Sequence, residues 1–429
     1  MVGAATSARE AAVALAPATP AELVAAGLLA SDGGDRVRAT ISLSPYRHLL
    51  VAADRATASL GEPRDAVPGV NPASRLLARS TVRASAGSAL DLGTGNGMQA
   101  LAVALHARDV LATDVNPRAL HHAAFSARLN AITNIAFAEG SWFDPAGERH
   151  FDLIVANPPF VVSPDAELTY RDSGLKPGEL SATLLREAAS RLTPGGFAHV
   201  TTEWGVHDAS DWQEVPSAWA AETGCDALVL LLGLSDPIDH AVMWNHRLLA
   251  VAPDRFEAAV ERWTRHHREH GFVRLATATI ILRRRDATGP PWFSALELAE
   301  PPTAEAGDHV LRVFAGEDLV RGARADTGGL LRERLAPVEG LALEQVLTTR
   351  EGRWRQRPAR LRLTPGLGLE GRVDPAVLDV IFALDGRRSA GEVVHTVATR
   401  RGEDASDLQT LALAQLPGLV RRGLLSAPP

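Results

Sequence analysis

The chain has 429 residues, of which 46% are hydrophobic and 22% are charged, and its formal net charge is −7 at pH 7. Because single hydrophobic cores stop growing at roughly 250–300 residues, this length predicts two or three domains rather than one. The one cysteine, Cys225, excludes an internal disulfide framework, and the acidic balance gives no electrostatic argument for a nucleic-acid partner.

The first 71 residues are predicted to form an amino-terminal accessory region. Their pattern predicts a short helix from residue 20, strand-like pieces over 36–52 and a linker rich in Gly, Pro and Asp over 61–72. The amino terminus lacks the basic segment, apolar stretch and cleavage site of a signal peptide, and no apolar run approaches the ~20 residues of a membrane span. We therefore expect a cytoplasmic protein without a membrane partner.

Residues 72–290 alternate between short apolar runs and helical patterns. Helical patterns lie at 98–107, 117–130, 179–192 and 255–270, and the apolar runs lie at 88–92, 110–113, 135–138, 153–156, 198–201, 227–232 and 276–282. Continuous apolar strands separated by helices indicate a sheet that is buried on both faces and hence largely parallel. The predicted fold class is therefore α/β, with a Rossmann-like sheet of seven strands.

Residues 291–429 are predicted to form a separate carboxyl-terminal domain. A strand-like run at 361–363 is followed by helical patterns at 374–384, 390–399 and 405–422, and the chain then continues into an apolar Gly-Leu-Leu. Three short helices with few strands indicate a small α+β accessory domain of winged-helix type.

A glycine-rich turn follows the first predicted strand of the central region. The segment 89–97, ALDLGTGNG, predicts a buried strand that leads into this turn and then into a helix, so a ligand would lie at the carboxyl edge of the sheet. Dinucleotide sites use G-x-G-x-x-G, whereas here an acid precedes the glycines, which suits a cationic sulfonium and ammonium better than a phosphate. The predicted cofactor contacts in this segment are Asp91, Gly93, Thr94, Gly95, Asn96 and Gly97.

An acid also ends the second predicted strand. Asp114 lies about twenty residues past the glycine turn, where a carboxylate accepts hydrogen bonds from the two hydroxyls of a ribose. The alternative is that Asp114 caps the helix starting at Pro117, but Asn116 is better placed for that. Residues 139–142 follow the third strand and are predicted to border an adenine, with a plain turn as the alternative. The predicted cofactor contacts in these two segments are Asp114, Val115, Asn116, Gly140, Ser141 and Trp142.

The fourth predicted strand runs directly into Asn157-Pro158-Pro159-Phe160, the most specific feature of the sequence. Two prolines fix the backbone and remove two N–H donors, so the loop offers mainly acceptors. The side-chain oxygen of Asn157 and the carbonyl of Pro158 can each accept one hydrogen of a substrate –NH2 and so aim its nitrogen at a cofactor methyl. Phe160 offers a face to a planar amide, base or guanidine. The predicted catalytic residues are Asn157, Pro158, Pro159 and Phe160. Asn157 is also predicted to contact the cofactor. The alternative interpretation of this segment is a plain turn that ends the strand.

Together these residues resemble the class I S-adenosylmethionine-dependent methyltransferases with an N-P-P-[FY] motif. That group includes the HemK-like release-factor glutamine methyltransferases, the small-domain ribosomal RNA guanine methyltransferases and the DNA adenine enzymes. The resemblance covers roughly residues 72–282 and implies that Gly93, Gly95 and Asp114 bind S-adenosylmethionine, while residues 157–160 hold the target nitrogen. The tail from residue 373 loosely resembles PqqD-like winged-helix modules, which often handle peptides.

Other polar residues are candidates for contact with the substrate. Residues 169–174 form either a lid or a plain polar loop, and the acid at the end of the fifth strand could pair with a cationic substrate. Asp236 and His240 are weaker candidates. The histidines His266 and His270 have metal-ligand spacing, but their charged surroundings favour a solvated face, so no metal is expected. The predicted substrate contacts are Phe160, Tyr170, Arg171, Asp172, Glu203 and Trp204.

The functional prediction is methyl transfer from S-adenosylmethionine to a planar amide, guanidine or amino-heteroaromatic nitrogen, by direct displacement without a metal. A protein or small-molecule substrate, arginine- or glutamine-like, is favoured over nucleic acid. The first alternative is a ribosomal RNA base, for which the arginines around Trp354, over residues 353–362, would contact phosphates, although a solvated strand face explains them better. The second alternative is a protein that binds S-adenosylmethionine or a peptide without catalysis.

Overall fold

The chain divides into two compact units. The first unit comprises Met1–Ala78 and Ala84–Glu297, and the second comprises Arg79–Arg83 and Leu298–Pro429. The first unit thus contains the amino-terminal region as well as the central sheet, and the boundaries at residues 71 and 290 stay predictions. The computed structural model describes residues 4–55, 64–165, 171, 178–286, 289–323, 328–364 and 366–428.

The amino-terminal part of the first unit is a small sheet with two helices, followed by a hairpin. Its elements are β1 (Thr6–Ser7), α1 (Ala8–Ala14), α2 (Pro20–Ala25), β2 (Leu29–Ser31), β3 (Arg36–Ala39), β4 (Ile41–Tyr46) and β5 (Leu49–Asp54). Both helices begin with a capping box, Ser7 with Glu10 in α1 and Thr19 with Glu22 in α2, which satisfies backbone donors of the first turn. The helix predicted from residue 20 is confirmed.

The central part of the first unit is one large sheet with helices between its strands. The elements are α3 (Pro72–Ser80), β6 (Ala86–Leu92), α4 (Met98–Ala104), β7 (Ala107–Asp114), α5 (Pro117–Leu129), β8 (Ile135–Glu139), a 3-10 turn (Asp144–Ala146), β9 (Phe151–Ala156), α6 (Glu179–Arg191), β10 (Leu192–Val206), α7 (Glu214–Ala221), β11 (Asp226–Ser235), α8 (Pro237–Val251), α9 (Pro253–Glu269), β12 (Arg274–Arg283) and β13 (Phe293–Glu297). The hairpin β4–β5 packs onto this part, since Tyr46 and Val51 share a core with Met98 and Leu101 of α4.

The strand order in the sheet is β13-β11-β12-β10-β9-β6-β7-β8. All neighbours run parallel, except that β12 is antiparallel to β10 and β11. Successive residues from Asp226 to Leu231 of β11 are all buried, as expected for a strand covered on both faces. The predicted α/β class and largely parallel sheet are confirmed.

The direction in which the chain adds strands reverses at β6, which lies between β7 and β9. From β6 the chain continues through β7 and β8 on one side, and it then returns to place β9 on the other side. At such a reversal the loops at the carboxyl ends of the strands diverge and leave a crevice, where ligands bind in open α/β sheets. The residues that follow β6, β7 and β9 therefore border one crevice.

The sequence predicts seven strands, and the structure adds an eighth, β13, at the edge next to β11. The chain before β13 is held by Asp226, a buried carboxylate at the start of β11. It accepts hydrogen bonds from the Trp292 N–H at 3.1 Å and from Arg285 at 2.8 Å. Because this anchor returns the chain to the sheet, residues 293–297 lie in the first unit.

The second unit has its own core. Its elements after α3 are α10 (Gly307–Ala323), α11 (Gly329–Arg332), β14 (Ala336–Pro337), β15 (Leu341–Glu344), β16 (Leu347–Arg350), β17 (Arg353–Gln356), β18 (Ala359–Leu363), β19 (Glu370–Val373), α12 (Pro375–Ala383), α13 (Ala390–Arg401), α14 (Ala405–Arg421) and β20 (Leu425–Ser426). Residues such as Leu361, Val377, Val393 and Leu416 form the core between β18 and the last three helices. The predicted α+β domain with three late helices is confirmed.

Among the described residues, no helix combines the length and apolar character needed to cross a membrane.

Candidate active site

The glycine turn after β6 has an open side and a closed side. Gly95 has a φ of +53° and Gly97 a φ of +85°, which residues with a side chain rarely adopt. A Cβ on Gly97 would lie 2.9 Å from the Cα of Ala123 on α5, so only glycine lets the turn pack against that helix. At Gly93 and Gly95 a Cβ would meet no heavy atom of the described chain within 4 Å. A ligand can therefore approach the backbone of these two residues closely.

Asp91 is a buried carboxylate beneath this turn. Its Oδ2 accepts hydrogen bonds from the Thr94 hydroxyl at 2.7 Å and from the Ala100 N–H at 2.8 Å. Its Oδ1 is buried and accepts none from the described residues. Burial, reinforced by the charge of Asp114, raises the pKa of Asp91 to about 7. The free oxygen and the raised pKa both indicate a carboxylate that lacks a cationic partner, as predicted for the acid of this motif.

We expect Asp91→Asn to remove a pH-dependent cost of folding. The folded pKa of about 7 lies above the unfolded value of 3.8, so the folded wild type binds more protons between pH 4 and pH 7 and loses stability as the pH rises through that window. Relative to wild type, the free energy of unfolding of the variant should therefore increase by on the order of 3 kcal/mol from pH 4 to pH 8 and stay level above pH 8. Chemical denaturation without cofactor measures this difference, and the same difference at every pH would contradict it.

Asp114 ends β7 next to the glycine turn. Its Oδ2 accepts a hydrogen bond from the Gly95 N–H and its Oδ1 from the Asn116 N–H, both at 2.9 Å, and burial raises the pKa of this carboxylate. Asn116, not Asp114, caps α5, since its side chain accepts from the Arg118 N–H at 2.9 Å. A carboxylate has about four lone-pair sites, so Asp114 can also accept from a ligand. The next residue, Val115, has an exposed side chain beside this carboxylate.

Two predicted cofactor residues use their side chains within the protein. The Thr94 hydroxyl is bound to Asp91, and Asn96 donates to the carbonyl of Pro68 at 2.9 Å while accepting from the Met98 N–H at 3.0 Å. Their backbones lie beside the open side of the turn that Gly93 and Gly95 leave. These side chains hold the turn in shape, which a pattern of residue types does not reveal.

The turn after β8 borders the same crevice. The Gly140 N–H donates to the backbone carbonyl of Asp114 at 3.1 Å, and a Cβ on Gly140 would lie 2.5 Å from the Cγ of Pro145. Ser141 accepts the N–H of Asp144 at 3.0 Å, which closes the turn, and the Trp142 side chain is partly exposed. The residues predicted to border the adenine thus lie next to Asp114, whose side chain is predicted to bind the ribose.

The Asn-Pro-Pro-Phe loop follows β9 directly and so starts at the crevice. The Oδ1 of Asn157 is buried and accepts no hydrogen bond from the described residues. Pro158 is buried, and Phe160 is half-buried with its ring edge-on to Trp244, at 6.5 Å between centroids. A buried carbonyl oxygen without a donor is costly, so this oxygen is suited to accept a hydrogen bond from a bound substrate.

The sequence predicts that Glu203 and Trp204 face the crevice, but the structure buries both side chains. Glu203 is 1% exposed, and its oxygens accept from the Val162 N–H at 2.8 Å, from His240 Nε2 at 2.9 Å and from the Thr277 hydroxyl at 3.1 Å. Trp204 is also 1% exposed and donates from its indole to the Trp212 carbonyl at 3.1 Å. The reason is that β10 continues to Val206, so both residues lie within the strand, on opposite faces that are both covered.

The predicted lid lies mostly outside the described residues, including Tyr170 and Asp172. Arg171 lies within the described residues and was predicted to contact the substrate, but its side chain is buried. Its guanidinium lies 3.4 Å from Asp165 and over the ring of Trp263, at 5.3 Å from the centroid. The Trp263 indole donates to the same carboxylate at 2.8 Å. Arg171 therefore ties the chain after the loop to α9.

Two weaker candidates take different roles. Asp236 caps α8 by accepting from the Ile238 N–H at 2.9 Å, whereas His240 reaches the site indirectly through Glu203. The rings of His266 and His270 lie 4.3 Å apart, and no third metal-binding side chain joins them among the described residues. Trp244 is not among the residues predicted from the sequence, although it lies one turn after His240 on the same helix, which was the available signal.

Known proteins match the two units separately. Residues 66–203 match the family described as "Methyltransferase small domain", and residues 312–427 match one described as "Domain of unknown function". A release factor glutamine methyltransferase of Xylella fastidiosa is 35% identical over 126 residues, which are 27% of this chain and 46% of that protein. One of Neisseria gonorrhoeae is 39% identical over 128 residues, 26% of this chain and 45% of that protein. The chain spans about half the length of these relatives.

Among solved structures, a methyltransferase from Pyrococcus furiosus is 18% identical and aligns with a TM-score of 0.32, over 50% of this chain and 84% of that one. The family match over residues 66–203 and the two relatives support the predicted methyltransferase domain in the first unit. The loose resemblance of the tail to PqqD-like modules stays a prediction.

Proposed function

We propose that this protein transfers a methyl group from S-adenosylmethionine to a side-chain amide nitrogen of a protein, with a glutamine-like acceptor. The observation that carries this proposal is the buried Asn157 Oδ1, which accepts no hydrogen bond from the described residues and lies at the carboxyl end of β9. The names of the relatives, release factor glutamine methyltransferases, support the amide.

The residues of the crevice fit the predicted cofactor. The Asp91 Oδ1, which accepts nothing from the described part of the chain, suits a cationic group. The open side of Gly93 and Gly95 admits a ligand to the backbone, and Asp114 can accept from two ribose hydroxyls. When bound, S-adenosylmethionine supplies an electrophilic methyl carbon whose bond to sulfur breaks as the bond to nitrogen forms.

The chain's own contribution is to hold and polarise the acceptor. Asn157 Oδ1 and the Pro158 carbonyl accept the two hydrogens of the –NH2 group, which orients the amide so that the nitrogen lone pair, perpendicular to the amide plane, faces the methyl donor. Because the amide nitrogen is planar in the ground state and pyramidal in the transition state, acceptors placed this way stabilise the transition state more. Phe160, fixed edge-on by Trp244, offers its face to the planar amide. One amide proton then leaves to solvent.

An RNA base is the second candidate acceptor, favoured by one surface of the second unit. On the hairpin β16–β17, Trp354 is 70% exposed, and the side chains of Arg350, Arg353 and Arg357 are exposed around it. Arginines around an exposed indole suit phosphates and a stacked base. The location of this hairpin outside the methyltransferase domain makes it the weaker argument.

The test is to incubate the purified full chain with methyl-labelled S-adenosylmethionine and cell extract, and to separate protein, RNA and small molecules. We expect the label in protein and, after proteolysis, in an N-methylated glutamine residue. An Asn157→Ala preparation, run in parallel, should leave the protein unlabelled. Label confined to RNA would overturn the amide proposal in favour of the second candidate.

A further inference from the structure

A group of four polar side chains lies behind the Asn-Pro-Pro-Phe loop, in the interior of the first unit. The group, named here the Glu203 cluster, consists of Glu203 on β10, Thr277 on β12, His240 on α8 and His267 on α9. Glu203 and His240 are 1% exposed and His267 is 0% exposed. His240 Nε2 lies 2.9 Å from Glu203 Oε1, and His240 Nδ1 lies 3.1 Å from His267 Nε2. The charged pattern of the α9 segment predicts a solvated face, but the buried face of this helix carries Trp263 and His267.

The cluster supplies donors to the Glu203 carboxylate. Burial, together with the neighbouring His240, lowers the pKa of His267 to about 3, so this ring is neutral at physiological pH. The Nε2–H of His240 donates to Glu203 Oε1, and the Thr277 hydroxyl donates to Oε2 at 3.1 Å. The third donor contact of Glu203 is of another kind, because it comes from the backbone of the loop.

That contact is the Val162 N–H, which donates to Glu203 Oε1 at 2.8 Å. Pro158 and Pro159 have no N–H, so the loop has few amides by which it can be held. At its start the loop is fixed by β9, where Ala156 pairs with Leu92 and with Val200. At its end it is fixed by Glu203, two residues after Phe160. The segment 157–161 thus runs from a strand to a buried carboxylate, and the Val161 N–H also donates to the backbone carbonyl of Arg171 at 3.4 Å.

Burying a carboxylate such as that of Glu203 costs free energy of folding. Charged groups in the interior cost free energy unless every oxygen is hydrogen-bonded, and well-packed apolar residues of the same volume are often more stable. The cluster satisfies both oxygens of Glu203 with donors from β12 and α8, and α8 also carries Trp244, which contacts Phe160. The same helix therefore supports the anchor and the aromatic end of the loop.

We propose that Glu203 is a positioning residue for methyl transfer, which fixes the Asn157–Phe160 loop through the Val162 N–H and is itself held by His240 and Thr277. This inference rests on the proposed function, because it assigns a purpose to the geometry of Asn157. The groups displaced if the anchor is lost are Asn157 Oδ1 and the Pro158 carbonyl, both of which must meet hydrogens of one –NH2 group. A displacement of about 1 Å at such a site costs on the order of 100-fold in rate.

The test compares Glu203→Leu with Glu203→Gln. Leucine fills the volume but accepts nothing, so kcat should fall by about 100-fold, while KM for S-adenosylmethionine stays within about threefold of wild type. Glutamine keeps an oxygen for the Val162 N–H, so it should recover most of the lost kcat. Thr201→Val is the matched control, because Thr201 is also buried on the same face of β10, two residues away, and its hydroxyl has no partner among the described residues. Thr277→Val, which removes only one of the carboxylate's donors, gives a milder variant if Glu203→Leu does not fold.

A second readout does not depend on finding a substrate. Amide hydrogen exchange of the peptide covering residues 157–163 should be faster in Glu203→Leu than in wild type, Glu203→Gln or Thr201→Val, while exchange over residues 89–97 stays the same. Unchanged exchange at 157–163, or equal kcat for the leucine and glutamine variants, would overturn the positioning role. If wild type transferred no methyl to an amide, the proposed function would fail, and the exchange result would still decide whether Glu203 anchors the loop.

Discussion

Asn157→Ala should lower kcat by about 100- to 1,000-fold, the loss typical when one preorganised hydrogen-bonding group of a transition state is removed. The Asn157 Oδ1 is buried and has no donor among the described residues, so its hydrogen-bonding capacity is available to the substrate. Because the interaction strengthens as the amide nitrogen becomes pyramidal, the loss should appear in kcat more than in KM for the acceptor. Affinity for S-adenosylmethionine should change little, since the glycine turn and Asp114 are intact in this variant.

Single-turnover kinetics with a labelled cofactor and the identified acceptor measure this effect directly. Asn134→Ala is a suitable control, because Asn134 directly precedes β8 and donates to the backbone carbonyls of Ala104 at the end of α4 and Ala107 at the start of β7, away from the crevice. That variant should keep a kcat close to wild type. A kcat for Asn157→Ala within about threefold of wild type would contradict the assignment, since a single lost hydrogen bond to a reacting group costs more than that.

Asp114→Ala should weaken binding of S-adenosylmethionine by about 100-fold or more. The carboxylate can accept from two ribose hydroxyls, and each hydrogen bond to a charged group contributes roughly 1.5–3 kcal/mol, while every 1.4 kcal/mol is tenfold in affinity. The variant also leaves the N–H groups of Gly95 and Asn116 without their acceptor, which loosens the glycine turn. Unlike Asn157→Ala, this change acts on the cofactor before any chemistry.

Titration calorimetry of the free protein with S-adenosylmethionine measures the dissociation constant without an acceptor. Asp109→Ala is the matched control, because Asp109 is a carboxylate on the same strand that is exposed and pairs with Arg108. Its removal should leave the dissociation constant unchanged. Equal affinities for the two alanine variants would show that the acid at the end of β7 does not hold the ribose.

Most of the fold could be predicted because its signals are local. Continuous apolar runs such as 153–156 and 227–232 predict strands covered on both faces, and those strands are β9 and β11 in the structure. The prediction was incomplete at the edge of the sheet. The short strand β13 has no distinctive pattern, and long-range contacts, such as those of Asp226 with Trp292 and Arg285, 66 and 59 residues away, bring it to β11.

In the candidate site, too, residues with local signals could be predicted, and residues that depend on long-range contacts could not. Asp91, Asp114 and Asn157 could be placed at the crevice because each directly precedes or follows a strand end, and parallel strands end at one edge of the sheet. Glu203 could not be placed correctly, since β10 continues three residues beyond it. The chain pattern does not show where a strand ends when both of its faces are buried.

By itself, the sequence determined the alternation of strands and helices, the glycine turn and the proline-stiffened loop, because hydrophobic period and the backbone limits of Gly and Pro act between neighbouring residues. Only the tertiary structure decided what holds that loop in place. The partners of Glu203 are Val162, His240 and Thr277, which lie 41, 37 and 74 residues away along the chain. Hydrogen bonds over such separations depend on how β10, β12 and α8 pack, and packing is a property of the folded chain rather than of any local pattern.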